Sequence, residues 1–156
     1  MRSRTLAVVV SALCAVITAT TAAHAQAPKP NKAVNVCALL TPAEAGAVLG
    51  TTVGEATPDA PQGSLLGGCK YVSMKGIIML SARPVSEFDA TVKAYKDFTS
   101  VSGVGEGVKA SYSPTLGMLM SQSAKPYFLQ ISIAGGSGGK TSERFVAVAK
   151  KVVAKG

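Results

Sequence analysis

The chain has little of what catalysis and metal binding draw on. Its 156 residues include no tryptophan, one histidine, three cysteines, and eight acidic side chains against sixteen basic ones. The single histidine, His24, lies in an N-terminal segment that reads as an export signal. Without that segment no imidazole remains, so Ser-His-Asp and Cys-His mechanisms lose their general base. Histidine ligation of zinc, copper or non-haem iron is excluded with them. The carboxylates Glu44, Glu55, Asp59, Glu87, Asp89, Asp97, Glu106 and Glu143 are scattered. Only Glu87 and Asp89 lie close together, and residues two apart on a helix do not face each other. No catalytic residue, metal site or cofactor is expected.

The export reading rests on order. Arg2 and Arg4 precede an apolar run from Leu6 to about Ala19, and small residues then end in Ala23-His24-Ala25. Basic, apolar, then small is the pattern a signal peptidase recognises, with cleavage between Ala25 and Gln26. A membrane span needs roughly 20 apolar residues, and this run of about 14 is broken by Ser11 and Thr18. Cys14 is not a lipidation site, because Leu13 precedes it where a small residue is required. The expected product is periplasmic or secreted, with no stable membrane anchor after cleavage. Removal of residues 1–25 leaves 131, enough for one core. Loss of Arg2 and Arg4 takes the basic residues from 16 to 14 against 8 acids, a net charge of +6.

Two cysteines remain, Cys37 and Cys69. An even pair in an oxidising compartment predicts a disulfide with only one connectivity. A metal site would need further ligands, and neither a histidine nor a third cysteine survives cleavage.

Residues 26–35 are rich in Pro and Lys and read as a flexible leader, with a single domain over 36–156. Thr41, Pro42 and Glu44 form a capping box with proline at the first helical position, and Gly50 is the stop. A helix over 42–49 follows. A strand is expected near 51–56, then β-rich runs at 69–74 and 77–83 joined by a turn at Lys75-Gly76. Ser86 is expected to cap a helix reaching about 98, with Phe88, Val92 and Tyr95 buried. Further strands are expected near 108–113, 118–123 and 127–134, separated by turns at 114–117 and 125–126. A final helix at about 142–154 carries an apolar stripe of Phe145, Val148, Ala149, Val152 and Val153. Two tandem hairpin-then-helix units imply an α+β domain, an antiparallel sheet with helices packed on it.

Cys37-Ala-Leu-Leu-Thr41-Pro-Ala-Glu44, Leu49-Gly50, Cys69-Lys-Tyr71 and Val104-Gly105-Glu106 together resemble a family of small secreted proteins and lipoproteins of unknown function, best known from actinobacteria. The resemblance spans most of 37–150. It implies a Cys37–Cys69 pair and a fold similar to the Mog1/PsbP-like sandwich, and it brings no catalytic residues. Unlike many members, this chain has no lipobox.

Three motifs imitate known chemistry. Ala134-Gly-Gly-Ser-Gly-Gly139-Lys140-Thr141 fits a relaxed phosphate-binding loop. No strand follows the next helix to complete a βαβ unit, and no apolar strand ends in an aspartate for magnesium. The loop reads instead as a glycine linker into a helix capped by Thr141 or Ser142. Gly139, Lys140 and Thr141 remain a weak anion site at that helix start. Ser137-Gly-Gly-Lys140 mimics a Ser-x-x-Lys pair, but the intervening glycines oppose the helix that pair requires. Gly103-Val-Gly105-Glu-Gly107-Val108 lacks the third glycine of a dinucleotide fingerprint and reads as a turn.

Lys140, Arg144, Lys151 and Lys155 recur at helical spacing and predict a basic stripe on the last helix. No aromatic cluster accompanies it, which argues against nucleic acid. The function expected from the sequence is therefore a non-enzymatic envelope domain. It binds a protein, lipid or small molecule through a sheet face or the basic helix. The alternative is a small hydrolase whose Ser/Lys or carboxylate pair is assembled only by the fold. A third reading is a structural or inhibitory protein that recognises a partner along an exposed sheet edge.

Overall fold

In the computed structural model, which describes residues 32–136 and 141–156, the first helix begins where its capping box predicts. Helix α1 (Pro42–Leu49) starts at Thr41, whose Oγ1 accepts from the Glu44 N–H at 3.2 Å. Glu44 Oε2 accepts in return from the Thr41 N–H at 2.8 Å. Gly50, at φ 69°, takes the left-handed conformation that ends the helix, and its N–H bonds to the Gly46 carbonyl. The expected signal segment, its expected Ala25/Gln26 junction and residues 26–31 of the expected leader lie outside the described residues.

Seven strands follow: β1 (Thr57–Asp59), β2 (Gly67–Ser73), β3 (Gly76–Pro84), β4 (Thr99–Ser100), β5 (Lys109–Ser113), β6 (Met118–Gln122) and β7 (Tyr127–Gly135). They form one antiparallel sheet in the order β1-β2-β3-β7-β6-β5-β4. The expected hairpins exist as β2–β3 and β5–β6. The β3–β7 ladder joins the two halves, running from Gly76↔Gly135 to Pro84↔Tyr127. Helix α2 (Phe88–Ala94) follows the first hairpin, and α3 (Ser142–Lys155) follows β7. The architecture is α+β, with helices packed on an antiparallel sheet.

Alternation along the strands gives the sheet two unequal faces. Cys69, Tyr71, Ile78, Leu80, Leu119, Ile131 and Tyr112 point to one side, and all are buried. Helices α1 and α3 and a 3-10 turn at Val36–Leu39 cover that side, burying Leu49, Phe145, Val148, Ala149 and Val152. A much smaller cluster of Phe88, Met120 and Phe128 lies on the opposite side, under α2. The rings of Phe88 and Phe128 meet edge to face at 5.5 Å.

The disulfide joins Cys37 in the 3-10 turn to Cys69 in β2, with Cα atoms 5.1 Å apart. Beside it the Tyr71 hydroxyl donates to the Leu40 carbonyl, and burial pushes the phenol up to about 12.

Three expectations are corrected. Residues 51–56 form no strand. The Thr51 N–H continues the helix-terminating turn by bonding to Gly46 O, and the edge strand starts only at Thr57. The second helix is shorter than 86–98, and Ser86 does not cap it. A 3-10 turn occupies Val85–Glu87, and α2 stops at Ala94. Tertiary contacts end it: Phe98 packs against the cluster of Phe88, Met120 and Phe128, and Asp97 accepts from the Ser113 hydroxyl. These contacts draw the chain onto the sheet at β4. Tyr95, expected on the buried face, is about half exposed beyond the end of α2. Ahead of the 3-10 turn, Val34 also touches the sheet. The Val34 N–H donates to Leu66 O, and the backbone there passes so close that a Cβ on Gly67 would lie 2.2 Å from Val34 O.

Candidate binding surface

The side of the sheet that carries α2 is only partly covered. Helix α2 lies over β6 and its neighbours, and among the described residues no helix packs on the outward side of β2, β3 and the end of β7. Successive antiparallel pairs set the rows there: Lys70↔Met79↔Ser132↔Met118, then Val72↔Ile77↔Ala134. Val72 and Met79 are each about half exposed, and Met74, in the β2–β3 turn, is entirely so. Tyr95 and Leu116 are the other large exposed hydrophobics, in the loop after α2 and the β5–β6 turn.

The charge that strands β2 to β7 carry on this side is of one sign. Strands β2 to β7 contain no aspartate or glutamate, and Lys70, Arg83 and Lys109 all have the outward parity. Arg83 is held by the Ser64 hydroxyl at 2.7 Å and by Glu87 at 3.6 Å. Asp59, opposite Gly68 on the β1 edge, shares the outward parity and with Glu87 places two carboxylates at the margin of this side. The surface is thus apolar, with cations on its central strands. One sequence signal marks it: Ile77, Ile78, Met79 and Leu80 are apolar on both parities, whereas a strand with one solvated face alternates.

The basic stripe of the last helix has a different role from the one expected. Arg144 donates twice to the Val48 carbonyl, at 3.1 and 3.2 Å, and once to Gly135 O at 2.8 Å. It ties the start of α3 to the end of α1, where the helix dipole favours a cation. Lys155 Nζ meets Glu44 Oε2 at 2.6 Å, and Lys151 meets Oε1 at 3.9 Å. The cations face a neighbouring helix. Thr141 occupies the N-cap of α3 without a side-chain capping bond. Gly139 and Lys140, the other members of the expected anion site, and Ser137 lie outside the described residues.

Glu44 closes the capping box and also receives Lys155. The hydrogen bond from Lys155 chiefly, then the Thr41 N–H, brings its carboxyl from 4.5 to about 2. A carboxylate whose folded pKa is depressed stabilises the fold above its unfolded pKa. That contribution disappears as pH falls through the window from 4.5 to about 2. Glu44→Gln, which keeps the side-chain shape, is expected to lose roughly 0.5–1 kcal/mol at pH 7. The gap to wild type should close by pH 2 in urea titrations. A gap independent of pH would contradict this role.

The hydrolase alternative has one natural location. A groove of about 510 Å³ between β4 and α3 is lined by Ser100, Ser102, Ser142, Glu143, Val146 and Lys150, among others. Ser142 and Lys150 are eight residues apart on α3, about 12 Å along its axis, beyond proton-transfer reach. No hydrogen bond or ion pair links these groups among the described residues. Asp97 and Ser113 do meet, and this contact holds the Asp97 carboxyl below its usual range. Ser113 Oγ also accepts from the Leu116 N–H at 3.0 Å, so the pair anchors a turn. Among the described residues no three His, Cys, Asp or Glu side chains cluster as metal ligands. No helix there is long and apolar enough to cross a membrane.

No protein-family model, curated protein or solved structure matches this chain.

Proposed function

We propose that this is an exported, non-enzymatic binding domain that meets a component of the cell envelope with the uncovered face of its sheet. The observation that carries the reading is the join of Val72, Met79 and Met74, all solvent-exposed, on a side whose strand charges are cationic from β2 to β7. Contiguous exposed apolar surface marks sites of protein, membrane or ligand interaction. The basic helix is the weaker candidate, because Glu44 and backbone carbonyls already engage Arg144, Lys151 and Lys155. The proposal also keeps the chain beside the small secreted proteins it resembles in sequence, as an envelope component.

Site-specific photo-crosslinking in the envelope tests it. A photoreactive residue at Met79 is expected to give defined adducts, and one at Ala147, on the exposed side of α3, is not. Equal labelling from both positions would reject the open face as the contact surface.

A further inference from the structure

The β2–β3 hairpin ends the open face level with β7, whose Gly135 pairs with Gly76. The last row pairs Ser73 with Gly76, leaving Met74 and Lys75 as the tip. Behind the tip the rows are ordered by polarity. Met74 comes first, then Val72 opposite Ile77, then Lys70 opposite Met79. Rows on one face are about 7 Å apart, so the Lys70 row sits about 14 Å behind the Met74 level. The element presents Met74 and Lys75 at its end, with Lys70 two rows behind.

The turn is also prepared to leave water. Ser73 Oγ accepts from the Lys75 N–H at 3.2 Å and the Gly76 N–H at 3.1 Å, and it donates to Gly76 O at 3.0 Å. The Lys75 carbonyl accepts from the Gly136 N–H. Polar groups of a tight turn are costly to desolvate when they are unpaired, and here most are already satisfied within the protein. Lys75 Nζ donates to Gly50 O at 3.1 Å, an exposed bond that a phosphate oxygen can replace.

We infer that this tip docks on an anionic lipid surface, with Met74 entering between the headgroups and Lys70 and Lys75 meeting lipid phosphates. The inference rests on the open face being the contact surface and names its occupant. Charge complementarity selects the anionic bilayer. A single unwalled methionine at full exposure suits a soft interface better than a protein socket. Apolar insertion combined with basic residues is how peripheral proteins bind such membranes.

The test uses the exported protein, with its N-terminus sequenced, and two kinds of vesicle: phosphatidylcholine alone, and phosphatidylcholine with one quarter phosphatidylglycerol. Wild type is expected to sediment with the anionic vesicles, and roughly tenfold less in about 0.5 M NaCl or with the neutral vesicles. Because the chain has no tryptophan, Met74→Trp supplies a sole reporter. Its emission should shift to the blue on the anionic vesicles, whereas that of Ala147→Trp should not. Met74→Asp should lower partitioning roughly tenfold. An unshifted Met74→Trp, or a Met74→Asp that sediments like wild type, overturns the inference. Failure on vesicles with protein adducts still forming at Met79 would reject the bilayer and leave the wider reading standing. Failure of both rejects both.

Discussion

Replacing Cys37 and Cys69 together by alanine is expected to lower stability by about 3–4 kcal/mol, the entropy of closing a loop of 33 residues. Alanine is the appropriate substitute because Cys69 is fully buried, and serine would add an unpaired hydroxyl there. The loop contains the 3-10 turn, α1 and the edge strand β1. The turn and α1 close one side of the main core through Leu39, Leu40, Ala45 and Leu49. Beside the bridge the ties are hydrogen bonds, from Tyr71 to Leu40 O and from Val34 to Leu66 O, and farther along Arg144, Lys155 and Lys75 hold α1. Without the bridge this segment is expected to open before the sheet does. Thermal melts should show a midpoint lower by roughly 10 °C. Amide exchange should rise first in α1. A loss below about 1 kcal/mol would mean that the unfolded chain is already constrained in this region.

The main layer was legible because each of its parts is specified locally. Thr41, Pro42, Glu44 and Gly50 carry the start and stop of α1 in their own chemistry. The apolar stripe from Phe145 to Val152 names the buried side of α3. The strands β2, β3, β5, β6 and β7 lie within a residue or two of their predicted spans, because β-rich runs were separated by turn residues. The pairing of β3 with β7 was not legible, since it joins segments some fifty residues apart and depends on both halves folding. The early end of α2 was hidden for a related reason. Nothing near Ala94 breaks a helix, and the stop comes from Phe98 and Asp97 reaching partners on the sheet.

The candidate surface was half legible. A sheet face was expected to bind, but the sequence could not say which one or how much of it α2 would cover. The basic stripe misled because helical spacing reports a shared face and not what that face meets. Glu44, a hundred residues earlier, pairs with two of its lysines across the α1–α3 contact. Charge counted along one element becomes a statement about binding only after its partners are known.

The two layers should respond differently to truncation, and the contrast tests whether α2 is an accessory to the sheet. Phe145→Ala is expected to cost about 3–5 kcal/mol. Its ring is fully buried, lies 5.0 Å from that of Tyr112, and sits where α3 crosses the main core. No rearrangement of Val148 or Val152 can fill the space without moving the helix, so unfolding should remain a single transition at lower urea. Phe88→Ala removes a ring of the same size from a cluster of three buried residues, under a helix of seven. That helix can lift from the sheet, so the expected global loss is smaller, about 1–3 kcal/mol. Amide exchange should then accelerate in α2 but not in α3. Lifting α2 would uncover Met118, Met120 and Phe128, enlarging the apolar side that already presents Val72 and Met79. Phe88→Ala should therefore retain crosslinking at Met79 while destabilised, and Phe145→Ala should lose it only in proportion to unfolding. Equal stability losses, with exchange rising everywhere, would show that the two layers form one cooperative core.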